Sequence, residues 1–113
     1  MQRGEIYLAS FPFGNAPGMK LRPVLLLTSP IGTSAEVVAV YISSVIPATL
    51  LPSDIVLDPQ TPEFASTGLK VISLLRLHKL ATIHSSSVQR FLGSLSASAL
   101  QEVDTKLRAV LNL

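Results

Sequence analysis

The sequence contains no cysteine and no tryptophan, and only 14% of its 113 residues are charged. Without cysteine, disulfide bonds and thiolate chemistry are excluded. The two histidines, His78 and His84, are too few for a zinc site, and the seven acidic residues show no metal-ligand spacing. We therefore predict that the protein uses neither a metal nor another cofactor.

Long hydrophobic runs are also missing. Between residues 23 and 53 only Glu36 is charged, but prolines and a glycine interrupt each apolar run before it reaches ten residues. A membrane-spanning helix needs about 20 apolar residues. Residues 1–5 are polar and residues 6–13 are too short for the apolar core of a signal peptide. We expect a soluble cytoplasmic protein without a membrane partner.

The length and the 48% apolar content indicate one folded domain over residues 1–113. A surface so poor in charge suggests that a partner covers part of it, most simply a second copy in a homodimer. The net charge of +2 favours an anionic partner only weakly. It lies far below the dense basic surface of a typical DNA-binding domain.

Most of the chain has the pattern of short strands. Apolar segments predict strands over residues 3–9, 22–29, 36–44 and 54–58, with one or two more within 69–83. The segment 36–44 has Val, Ile and Tyr on both faces, which predicts a central strand covered on two sides. Residues 59–68 are predicted to form a loop because prolines at 59 and 62 keep them out of a sheet.

The periodicity changes towards the C-terminus. Residues 85–94 predict a helical turn or short helix that ends near Gly93, and residues 96–113 predict an amphipathic helix. Ser98 and Gln101 have capping-box spacing, with Ser96 as a rival N-cap. Five or six strands followed by a terminal helix predict a mainly β (α+β) fold. We expect a small curled sheet or barrel, with the helix over one opening or one face.

Arg22 directly precedes a proline at the entrance of an apolar strand. Proline pushes the preceding residue towards extended geometry, so the guanidinium is held at the end of the sheet. The planar guanidinium group can donate two parallel hydrogen bonds to a phosphate, so Arg22 is suited to phosphate binding. The alternative is a surface arginine paired with Glu5 or Asp54.

Four other polar residues lie near the predicted strand ends or in loops. Ser43 and Ser44 close the third strand and must face opposite sides of the sheet. Their hydroxyl groups can donate to a phosphate oxygen, or they simply end the strand. Lys20 and Lys70 occupy loop-like positions and can add phosphate contacts.

Arg76 and His78 lie on one face of a predicted strand. RNA cleavage requires removal of the 2′-OH proton, stabilisation of the phosphorane and protonation of the leaving 5′-oxygen. Histidine can serve either proton step. The alternative is a solvated edge face with Leu75 and Leu77 turned inward. His84 receives no role.

Four stretches in this order, "RGEIYLASF", "LRPVLLLTS", "VVAVYISS" and "TGLKVISLLRLHKLATI", resemble the MazF/PemK family of toxins from type II toxin–antitoxin pairs. The resemblance implies an SH3-like barrel of five to seven strands with a C-terminal helix, assembled as a homodimer. It implies a metal-independent, sequence-specific endoribonuclease that cuts single-stranded RNA to a 2′,3′-cyclic phosphate and a 5′-hydroxyl. It also implies a cognate antitoxin that blocks the RNA groove, and binding of DNA by the toxin–antitoxin complex.

The resemblance also implies site residues. The key arginine of the family falls on Arg22, its strand-end threonine on Ser43, and an arginine of the PemK branch on Arg76. His78 stands where that branch has an aspartate, a change that either preserves proton transfer with a different pH profile or marks a weak or inactive toxin. A non-catalytic barrel remains an alternative, because gyrase-poison-like toxins and an inert antitoxin-binding module would share the fold.

Overall fold

The computed structural model describes residues 1–11 and 20–113, with the Lys20 side chain excepted. Within this part of the chain one antiparallel sheet of six strands precedes a single α-helix, which confirms the predicted mainly β class. The elements are β1 (Glu5–Phe11), β2 (Lys20–Leu26), β3 (Glu36–Ser43), β4 (Asp54–Leu57), β5 (Ser73–His84), β6 (Val88–Ser94) and α1 (Ala97–Leu111), with 3₁₀ helices at Pro62–Thr67 and Ser85–Ser87.

The strands follow the order β4-β5-β3-β2-β1-β6. As predicted, β3 is central and covered on both faces. Val40 and Ile42 belong to one buried cluster, whereas Val37 and Ala39 belong to a second cluster on the other side. The alternating burial of β-branched residues on two faces therefore places β3 between two apolar layers.

A large bulge interrupts β5. Val40 of β3 pairs with Leu80, but the next residue, Tyr41, pairs with Arg76. Residues 77–79 therefore have no counterpart on β3, and the strand must bend there. The backbone N–H of Leu77 donates instead to the carbonyl oxygen of Ser53, at 2.9 Å.

The prediction of a helical turn or short helix over residues 85–94 is wrong. Only Ser85–Ser87 form a 3₁₀ turn, and Val88–Ser94 form the edge strand β6, paired with β1. Two register shifts in this pairing break the alternation of side chains, so the apolar residues do not recur at every second position. The polar residues of an exposed edge further hide the strand pattern.

The predicted loop over residues 59–68 contains the 3₁₀ helix Pro62–Thr67, which begins with a proline and buries Phe64. The backbone then passes very close to β6. A Cβ atom built on Gly68 would lie 2.0 Å from the carbonyl oxygen of Leu92, and one built on Gly93 would lie 2.2 Å from that of Ser66. Only glycine fits at these two positions.

The terminal helix α1 was correctly predicted, but its cap was not the Ser98–Gln101 capping box. The hydroxyl oxygen of Ser96 accepts from the backbone N–H of Ala99, at 3.2 Å, and Ser98 lies inside the helix. The fully buried Val103 inserts its side chain into the core cluster around Leu75. No helix in the described ranges is long and apolar enough to cross a membrane.

Candidate nucleic-acid interface

A cleft of about 560 Å³ opens between β1, β2, β6 and the segment 68–73. Its floor is apolar and includes Leu8 of β1 and Ile42 of β3. Among the described residues, its polar side chains come from four parts of the chain, so only the folded sheet assembles them. They are Arg22, Ser44, Lys70, Ser73 and Arg90.

The cleft is positively charged. Arg22, Lys70 and Arg90 are exposed, and the described residues that line the cleft include no aspartate or glutamate. Three cations around one concave surface attract a polyanion and raise its local concentration. Such an arrangement is suited to the sugar-phosphate backbone of a nucleic acid.

Arg22 lies near the start of β2, opposite Ala9 of β1, and lines the cleft as an exposed residue. One of its terminal nitrogens donates to the carbonyl oxygen of Leu21 at 3.3 Å, a contact at the long end of the hydrogen-bond range. The two carboxylates considered as its partners bond elsewhere. Glu5 accepts from the Tyr7 hydroxyl, and Asp54 pairs with Arg76.

The two serines at the end of β3 have different surroundings. Val24 pairs with Tyr41, so extending this register by two residues brings Ser43 opposite Arg22. However, Ser43 is only 6% exposed, and its hydroxyl accepts from the backbone N–H of Val45 at 3.0 Å. Ser44 is exposed and lines the cleft. The sheet brings both serines to the end that holds Arg22, but only Ser44 reaches the cleft wall.

The two predicted lysines lie in different parts of the fold. Lys70 is exposed and lines the cleft, next to Gly68 and Leu69 in its wall. Lys20 is the first residue of β2, but its side chain lies outside the described residues. RNA binding by either lysine stays a prediction.

Arg76 does not line the cleft. Its Nε donates to Oδ1 of Asp54 at 3.0 Å, and the carboxylate of Asp54 is completely buried. Lys106 of α1 donates to the backbone oxygen of the same aspartate at 3.0 Å. Arg76 thus neutralises a buried charge between β4 and β5, so its removal costs stability whatever it does for RNA. Its catalytic role stays a prediction.

His78 projects from the β5 bulge as an exposed residue and does not line the cleft. Its Nδ1 lies 2.7 Å from the hydroxyl of the buried Ser53. This contact orients the imidazole and does not engage Nε2. Leu75 and Leu77 are fully buried on the other face of β5, as the alternative interpretation expected. His84 contacts Ser86 through Nδ1. The role of His78 as acid or base stays a prediction.

Sequence reasoning missed Arg90 and Phe91, which both line the cleft. The predicted helical turn over residues 85–94 gave them no sheet neighbours. In the structure Arg90 pairs with Leu8, and the Phe91 ring meets Tyr7 edge-to-face with centroids 5.4 Å apart. No group of three or more His, Cys, Asp or Glu side chains among the described residues can hold a metal ion.

Comparison with known sequences shows which family the chain belongs to. The family model of the PemK-like, MazF-like toxins of type II toxin–antitoxin systems matches residues 2–111. Two curated relatives, the endoribonuclease MazF2 of Mycobacterium bovis and the endoribonuclease MazF6 of Mycobacterium tuberculosis, are each 33% identical over 118 residues. Each alignment covers 100% of this chain and 98% of the relative.

Solved structures show the same fold. The Mycobacterium tuberculosis toxin MazF-mt6 has a TM-score of 0.74 at 24% identity, with 96% of this chain and 97% of that chain covered. MazF from Deinococcus radiodurans has a TM-score of 0.75 at 21% identity, with 100% and 97% covered. The sheet and terminal helix are therefore the barrel-like fold of MazF proteins. The chain belongs to the family of PemK-like, MazF-like toxins of type II toxin–antitoxin systems.

Proposed function

We propose that this protein is the toxin of a type II toxin–antitoxin pair and acts as an endoribonuclease on single-stranded RNA. The observation that carries the proposal is the position of Arg22 in a cleft whose charged groups, among the described residues, are all cationic. The full-length similarity to two proteins named endoribonuclease supports the reaction.

The proposed reaction needs no metal. The 2′-hydroxyl gives its proton to a general base as its oxygen attacks the adjacent phosphorus. The bond to the 5′-oxygen breaks, and that oxygen takes a proton from a general acid, so the products are a 2′,3′-cyclic phosphate and a 5′-hydroxyl; His78 would serve one of these two proton transfers. Arg22 would stabilise the extra negative charge on the pentacoordinate phosphorus. Ser43, which the β2–β3 register brings opposite Arg22, would turn its hydroxyl proton from the carbonyl oxygen of Val45 to a nonbridging oxygen. Arg76, on β5 beside β4, would also stabilise the negative charge on the pentacoordinate phosphorus.

The direct test incubates the purified protein with a defined single-stranded RNA in excess EDTA. We expect discrete cleavage products, of which the upstream fragments end in a 2′,3′-cyclic phosphate and the downstream fragments begin with a 5′-hydroxyl. Mass spectrometry of the fragments distinguishes these ends from linear phosphates. Growth arrest on expression, with cellular and purified RNA left intact, would contradict the proposal and support the non-catalytic alternative.

The two histidines offer a matched pair for the proton-transfer role. A general acid or base that takes part in proton transfer produces a limb in the profile of cleavage rate against pH. We expect the limb to be lost in His78→Gln and retained in His84→Gln, because only His78 belongs to the β5 bulge beside Arg76. Identical profiles for the parent and His78→Gln would remove His78 from the reaction.

The partners follow from the same proposal. A mycobacterial endoribonuclease solved with its cognate antitoxin has a TM-score of 0.68 to this chain. We propose a cognate antitoxin and a homodimer here, acting in the cytoplasm. Exposed apolar side chains favour burial against a partner protein. Those of this chain include Val45, Leu50, Leu51 and Val71.

A further inference from the structure

Of the cations that line the cleft in the described part of the chain, Arg90 is the one that sequence reasoning did not assign. It pairs directly with Leu8 across β1 and β6, and Leu8 lines the cleft. Directly opposed side chains lie on the same face of a sheet. The Arg90 side chain therefore starts on the cleft face and needs no bend around the edge of the sheet to reach it.

Among the described residues, no carboxylate pairs with the charge of Arg90. Arg3 pairs with Asp104 and Arg76 pairs with Asp54. Within the described part of the chain no ion pair or hydrogen bond engages the Arg90 guanidinium, and the residue is exposed. An arginine that stabilises no carboxylate and faces a concave surface is available to bind an anion.

The fold also fixes the position of Arg90 relative to the other two cations. Gly68 packs against Leu92, and Lys70 and Arg90 each lie two residues from that contact. Arg22 pairs with Ala9 on the other side of β1, so its side chain starts on the face of Ala9, opposite to the face of Leu8 and Arg90, although Arg22 also lines the cleft. Two interstrand spacings separate the backbones of Arg22 and Arg90 by about 10 Å. Arg22 and Arg90 therefore form two separate cationic positions, and Lys70 lines the same cleft.

We propose that Arg90, with Lys70 beside it, binds a second phosphate of the RNA strand whose scissile phosphate is held by Arg22. This inference rests on the proposed function and assigns Arg90 to substrate binding rather than to the chemical step. A phosphate contact away from the reacting atoms binds ground state and transition state alike. It therefore lowers KM and leaves kcat unchanged.

The test compares Arg90→Gln with Arg108→Gln in the full-length protein. Arg108 is an exposed cation in the last turn of α1 that does not line the cleft, so both variants lose the same charge. The probe for binding is an uncleavable, fully 2′-O-methylated single-stranded RNA that carries the mapped cleavage site. The same unmodified RNA reports KM and kcat.

We expect Arg90→Gln to raise Kd and KM about tenfold, with kcat within about twofold of the parent. The slope of log affinity against log salt should fall by about 0.7, the value for one phosphate contact on a single strand. Arg90→Lys should keep this slope, and Arg108→Gln should match the parent. Equal melting temperatures of the variants and the parent would show that the fold is retained.

If Arg90→Gln and Arg108→Gln bind and cleave equally well, the second phosphate position is wrong. A loss of kcat at unchanged KM would also overturn it, since Arg90 would then act in the chemical step. The proposed function fails in a different way: the parent protein would bind the methylated RNA but cut no unmodified RNA. The two results are thus distinguishable.

Discussion

Replacing Arg22 with alanine is expected to lower the rate of RNA cleavage by about 1,000-fold. The Arg22 guanidinium is always charged and lies in a cleft lined by two further cations, Lys70 and Arg90. The phosphorane that forms beside Arg22 carries more negative charge than the bound phosphate. Interactions that strengthen as charge develops act on the chemical step. The loss should therefore appear in kcat, measured in single-turnover reactions with saturating enzyme.

Two matched variants make the Arg22 experiment decisive. Arg22→Lys keeps the charge but loses the planar fork, and we expect it to recover only part of the rate. Arg108→Ala removes an arginine from α1, outside the cleft, and should cleave as the parent does. Expression of Arg22→Ala should no longer arrest growth. A folded Arg22→Ala protein that cleaves RNA at the parent rate would refute the role of Arg22.

The extended conformation of Arg22 was predictable from a local rule, although β2 begins two residues earlier than predicted, at Lys20. A residue before proline is extended, and the apolar run that follows forms a buried strand, β2. The central position of β3 was predictable for a similar reason, since a strand that is apolar on both faces must be covered on both faces. These inferences need no knowledge of which strand pairs with which.

The remaining parts of the site depend on tertiary pairing. Arg90 was missed because two register shifts against β1 and a preceding 3₁₀ turn disguise the edge strand β6. The ion pair of Arg76 was not foreseen because Asp54 lies on a neighbouring strand, 22 residues earlier in the chain. The hydroxyl bonds of Ser43 and of Ser53 likewise depend on a turn and a bulge that only the folded backbone defines.

The close packing of the 3₁₀ segment on β6 gives the second large prediction. Gly93→Ala should lower the free energy of unfolding by about 3 kcal/mol, and the melting temperature by about 10 °C. The φ angle of Gly93 is not in the left-handed region, so alanine suits the local backbone. The cost arises because the added Cβ would lie 2.2 Å from the carbonyl oxygen of Ser66 and 2.5 Å from the carbonyl carbon of Thr67.

Gly32→Ala is the control for this substitution. Gly32 has a φ of +70°, but a Cβ there meets no atom within 4 Å. It should therefore cost only the backbone strain of about 1 kcal/mol. Urea unfolding followed by circular dichroism measures both variants, and equal losses for the two glycines would show that the contact at Gly93 relaxes without cost.

The same clash should weaken RNA binding. Relief of the contact at Gly93 requires the backbone around Ser66 and Thr67 to move away from β6, and Lys70 follows only three residues later. That movement separates Lys70 from Arg90, so KM should rise at temperatures where Gly93→Ala is still folded. A destabilised variant with the parent's KM would show that the cleft does not depend on this packing.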